Sequence, residues 1–190
     1  PSDTGATQGL YPWGYFSLGN YLAFFGGLNN GGADSAVIQA NQQGAFGFNF
    51  GARWADFRDG TSNTMIFGEY LRSTGNQSGG YCVDERGMLW QPDEPGGGAL
   101  MTQLSPNSTT PDIFYPSWWC VNLPGANQPC ITGSTDGHDH TAGSRSRHPG
   151  GVQVAMGDGS VKFVPDTISL TVWQAYGTIA GREVVLDPSQ

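Results

Sequence analysis

The sharpest alternation of apolar and polar positions lies in "GGVQVAMGDGSVKFVP", residues 150–165. Val152, Val154 and Met156 point one way and Gln153 and Ala155 the other, the period-two pattern of a half-buried strand. "GDGS" then predicts a two-residue hairpin turn centred on Asp158-Gly159, with Gly157 facing Ser160. Val161, Phe163 and Pro165 continue the second strand, with Lys162 outward. "DTISLTVWQAYGTIAG" changes to a helical period. Ser169 is its expected N-cap, and Leu170, Trp173 and Tyr176 form its inward stripe. "GREVVL" reads as a closing strand.

Upstream, "GAFGFNFG" (44–51) alternates Phe46, Phe48 and Phe50 with small or polar residues, predicting one strand with its phenylalanines on one face. "WADFRDGTSNTMIFGEYL" (54–71) begins with a short helical turn at Trp54 and Phe57. Asp59-Gly60 ends that turn, and Thr64–Leu71 reads as a strand. Asp59 and Asn63 suit Asx-type turns, and Gly60 suits a positive φ. The stretch 16–27 predicts a short strand or an irregular packed segment. Residues 72–142 form a turn-rich, insertion-like region whose clearest strand is "GMLWQPD".

Composition narrows the class. Thirty glycines and twelve prolines in 190 residues favour short strands and many turns over a helical bundle. Six Trp, seven Tyr and ten Phe supply the burial that disordered chains lack. The net charge is −8, with no basic stripe, which argues against a nucleic-acid binder. No stretch approaches the roughly 20 apolar residues of a membrane span. The chain starts at Pro1 without Met or a signal peptide, which suggests a processed, truncated or engineered segment. One domain over 1–190 is expected.

Three kinds of chemistry are open. Asp136, His138, His140 and His148 lie in one short stretch, and a His-x-His pair in a strand sets both rings on one face, where zinc or copper could be held. Asp56 and Asp59 could hold calcium, although no EF-hand pattern is present. Trp90, Tyr115, Trp118 and Trp119 are candidates for stacking on a sugar. Ser62 as a nucleophile lacks a G-x-S-x-G elbow and a nearby histidine. The other reading of each is structural: exposed loop histidines, plugged core tryptophans, a shaped turn. Extended geometry decides one case. The strand between His148 and Asp158 spans about 20 Å, far beyond a shared ion or hydrogen bond. Those two residues are therefore expected to shape opposite ends of a ribbon. Among Cys82, Cys120 and Cys130, a Cys120–Cys130 disulfide would close the proline-stiffened "VNLPGANQP" loop and add about 3 kcal/mol. Pairing through Cys82, or three free thiols, fits the sequence as well.

Two stretches carry a resemblance: "WADFRDGTSNTMIFGE", and "SRHPGGVQVAMGDGSVKFVPDTISLTVWQAYGTIAGREV". Together they resemble a large planctomycete family of unknown function. Its members typically carry a prepilin-type N-terminal cleavage and methylation signal and a C-terminal H-x(9)-D-G signature. Here that signature would be His148 with Asp158-Gly159, and the upstream motif Asp59, Gly60 and Asn63. The match is specific over 54–70 and 143–185 and weak over 72–140. It implies a pseudopilin-like protein at the cell surface or secreted. Its fold would be α+β, mostly antiparallel β: a pilin-like globular head lacking the N-terminal helix, with one short C-terminal helix. Other pilin-like subunits or cell-surface polymers would be its partners. The family brings no catalytic residues and no expected cofactor. A carbohydrate-binding module, or a metal-dependent or serine hydrolase using the 136–148 histidines, are the alternatives.

Overall fold

The computed structural model describes residues 8–11, 14–26, 42–47, 50–74, 77–82, 84–89, 96–115, 119–135 and 139–181. The expected strand in "GREVVL" lies outside them beyond Gly181, as does Phe48. The fold is α+β, mostly antiparallel β, with one short helix among the described residues. A hairpin of β1 (Gln8–Tyr11) and β2 (Gly14–Ser17) precedes β3 (Tyr21–Gly26). Then come β4 (Phe46–Gly47), β5 (Phe50–Gly51) and β6 (Met65–Glu69). The turn-rich region holds β7 (Gln77–Ser78), β8 (Tyr81–Cys82), β9 (Ala99–Met101), β10 (Asp112–Phe114) and β11 (Cys130–Thr132). β12 (Gly151–Met156), β13 (Val161–Pro165) and α1 (Leu170–Tyr176) complete the order.

A five-stranded sheet in the order β13-β12-β6-β3-β9 is the frame. Its neighbours are antiparallel except β3 and β9, which run parallel. Leu22, Phe24, Leu100, Val152, Val154, Met156 and Val164 are buried in one cluster with Trp173 of α1. The Trp173 ring meets Phe24 edge-on at 5.6 Å, and its Nε1–H donates to the Leu104 carbonyl at 2.9 Å. Gly68 makes this packing possible, since a Cβ there would lie 2.6 Å from the Phe24 ring.

Three expectations need correction. The turn after β12 is a three-residue loop, 157–159, with Met156 facing Ser160 instead of Gly157 doing so. Gly159 N donates to Met156 O and Gly159 takes φ +85°, a type I turn closed by a left-handed glycine. The additional loop residue moves the register by one, and in a period-two strand that exchanges the faces. Val164 is therefore the buried residue of β13, while Val161 and Phe163 are 68% and 48% exposed. Residues 44–51 likewise do not make one strand, because β4 and β5 fold back on each other with Phe46 opposite Gly51. In α1, Trp173 and Ala175 are buried whereas Leu170 is exposed, and the N-cap Ser169 makes no side-chain cap bond.

Candidate functional site

The 59–63 turn meets the Asp158 end of the second stretch at the tip of the β12–β13 hairpin. Gly60 takes φ +93°, and the Asn63 side-chain amide donates to the Asp59 carbonyl at 3.0 Å. That turn presents its carbonyls to the hairpin: Asp158 N donates to Thr61 O at 3.1 Å and Gly157 N to Thr64 O at 2.8 Å. Lys162 Nζ donates to Ser62 O at 2.9 Å. Gly157 fits this junction closely, because a Cβ would sit 3.0 Å from Thr61 O and from a Phe57 ring carbon. The Asp158 carboxylate accepts from Ser160 Oγ at 2.7 Å and Ser160 N at 2.9 Å; these bonds hold its carboxyl below the usual range. Asp59 Oδ2 accepts from Gly181 N at 2.7 Å, and Asp56 is paired with the Arg53 guanidinium at 3.1 Å. Ser62 is exposed and lends only its backbone carbonyl to the junction.

His148 works at the other end of β12. Its Nε2 lies 3.0 Å from Oε1 of Glu69, whose side chain is 8% exposed against 34% for the imidazole. Gln153 N donates to the second Glu69 oxygen at 2.7 Å, and the Tyr21 hydroxyl donates to Oε1 at 3.4 Å. Burial and the Glu69 carboxylate raise the Tyr21 hydroxyl above its ordinary range. The Glu69 carbonyl also accepts from Ser144 Oγ at 2.6 Å and Arg145 N at 3.0 Å. β6 thus touches both motifs, the turn near its start and the imidazole at its end. Sequence reasoning missed Glu69, although it is the one charged residue in "TMIFGEYL" and sits where a buried strand leaves little room for one.

His140 stands apart from His148. It is buried, its Nε2 lies 3.1 Å from Ser134 O, and its ring stacks on Tyr115 at 6.4 Å. Asp136 and His138 lie outside the described residues, and among those described no three His, Cys, Asp or Glu side chains cluster for a metal. Trp119 packs against the main core; Trp90 and Trp118 lie outside the described residues. Cys120 and Cys130 are joined by a disulfide.

Two buried ion pairs organise the turn-rich region. Arg145 grips Asp112 in a fork, Nη2 to Oδ1 at 2.8 Å and Nε to Oδ2 at 3.0 Å, and also donates to the Ser108 and Thr110 carbonyls. Asp112 further accepts from Tyr70 Oη at 3.1 Å and Gly143 N at 3.0 Å. Arg86 holds Asp84 in the same manner and donates to the carbonyls of Val121 and Gln128. Both arginines and both aspartates are at most 1% exposed. Burial, with the Asp112 carboxylate beside it, pushes the Tyr70 hydroxyl well above its ordinary range.

Among known proteins, a family model described as a protein of unknown function (DUF1559) matches residues 1–171. No curated protein and no solved structure matches.

Proposed function

We propose, from the premise that this chain belongs to the DUF1559 family of proteins of unknown function, that it is a non-enzymatic, pseudopilin-like head acting outside the cytoplasm by surface association. One observation carries this reading: the motif side chains are spent on structural bonds. His148 is bonded to Glu69, Asp158 to Ser160 and Asp59 to Gly181 N, contacts within the fold that support a structural role for these residues. The Cys120–Cys130 disulfide supports an oxidising compartment. No helix among the described residues is long and apolar enough to cross a membrane.

The test is location and attachment. Immunogold labelling of intact cells of the source organism should decorate the surface, and the purified protein should co-sediment with isolated cell-envelope fragments. Label confined to the cytoplasm, or a catalytic turnover abolished by His148→Ala with folding intact, would refute the reading.

A further inference from the structure

The five-stranded sheet ends at β13, and that end is unpaired among the described residues. Met156 N donates to Ser160 O and Asp166 N to Gly150 O, so the even-numbered residues of β13 face β12. The N–H and C=O groups of Val161 and Phe163 therefore point outward, and neither residue has a further hydrogen-bond partner among the described residues. Pro165 has no N–H, and its carbonyl accepts from Ile168 N, which closes the edge on that side. Both outward residues are also exposed and apolar. Proteins commonly guard such an edge with lysine. Here the single Lys of the chain, Lys162, is turned to the opposite face, bonded to Ser62 O and lying over the Tyr176 ring at 5.7 Å.

We propose that β13 is a strand-addition site for an extended peptide with apolar residues at alternate positions and basic residues at its ends. Two backbone donor–acceptor pairs would supply affinity, and Val161 and Phe163 would pack on the incoming side chains. Charge selects the partner. Asp158 and Asp166 flank the edge, their Oδ1 atoms bonded to Ser160 and to the Asn107 side-chain amide and their negative charges retained, on a chain of net charge −8. A second copy is disfavoured: the antiparallel register that uses both free pairs sets Val161 against Phe163 of the copy. Lys162 would then face its own counterpart, and Asp158 would face Asp166, like charges in direct opposition. A peptide with lysines at those two flanking positions turns the same confrontations into attractions. The proposal takes up the surface-association reading and gives it a place and a partner.

The probe is a labelled nonapeptide, Lys-Thr-Ser-Val-Thr-Val-Ser-Thr-Lys, whose valines fall opposite Val161 and Phe163. Fluorescence anisotropy with the intact protein should saturate. Methylating the backbone nitrogens of both valines, or replacing both lysines by glutamate, should weaken binding at least about tenfold. Val161→Pro and Phe163→Pro remove outward donors at positions where an edge strand tolerates proline, and should do the same with circular dichroism unchanged. Equal binding by the N-methylated or glutamate-ended peptides overturns the proposal, as does a wild-type protein that never saturates. A dimer in sedimentation equilibrium that Val161→Pro dissolves would overturn it too, since a second copy would then hold the edge. Envelope co-sedimentation in parallel separates the two ideas: attachment retained without peptide binding sinks the edge site alone.

Discussion

Replacing Arg145 by methionine tests what holds the turn-rich region in place. The substitution keeps most of the side-chain volume and removes the guanidinium. Asp112 would be left fully buried with only Tyr70 Oη and Gly143 N as donors, and the Ser108 and Thr110 carbonyls would lose their partner. Breaking a buried pair from one side costs about 3–5 kcal/mol, because the remaining charge is stranded in low dielectric. For a chain of this length that corresponds to a melting temperature lower by about 6–20 °C. Urea unfolding followed by tryptophan fluorescence gives the free energy directly. Asp112→Leu alone should cost a similar amount. The Asp112→Leu/Arg145→Met double variant should fall short of the summed single losses by about 2 kcal/mol. A loss below about 1 kcal/mol for Arg145→Met, or strictly additive losses, would show that the pair is not the organising contact inferred from its burial.

Four further outcomes follow from the same contacts. His148→Ala leaves the buried Glu69 carboxylate with Gln153 N and the Tyr21 hydroxyl as donors and should cost about 1–3 kcal/mol in urea unfolding, whereas loss of activity without loss of stability would contradict its structural role. Gly157→Ala should destabilise by about 1–3 kcal/mol through its clash with Thr61 O and Phe57, while Gly150→Ala, which meets open space but carries φ +81°, isolates the purely conformational cost. Reducing the Cys120–Cys130 bond should lower stability by about 3 kcal/mol, read as the difference between melts with and without reductant. The fold favours the neutral form of Tyr70, so its contribution is intact below the unfolded-state pKa of 10.0 and is lost as pH rises above it. Tyr70→Phe should flatten that alkaline decline in part, leaving the share due to Tyr21.

Much of the frame was legible in the residues. The alternation of Val152, Val154 and Met156 marked β12, and "DGTSNT" marked a turn feeding β6, because both depend on local backbone chemistry. The facing of β13 was not legible. Asp-Gly fits a two-residue or a three-residue loop, and the choice depends on where Asp158 N and Gly157 N bond on the neighbouring Thr61 turn, a contact distant in sequence. The same limit hid the buried charges. Arg86 and Arg145 sit among glycines, serines and acids that read as solvated loop, and their partners are fixed by tertiary folding. Glu69 lies 79 residues from His148, so no spacing rule connects the two. Phe46 and Phe50 alternate as a strand would, but they belong to two short strands, β4 and β5, that pair antiparallel.

The buried guanidinium groups also govern how this molecule comes apart. Arg86 fastens 84–86 to the carbonyls of Val121 and Gln128, and Arg145 fastens 143–145 to those of Ser108 and Thr110. A region that looks like a set of independent surface flaps is thereby denied the freedom to open piecemeal. Amide protons throughout those anchor points should exchange with solvent at one common, slow rate, set by rupture of the whole fold.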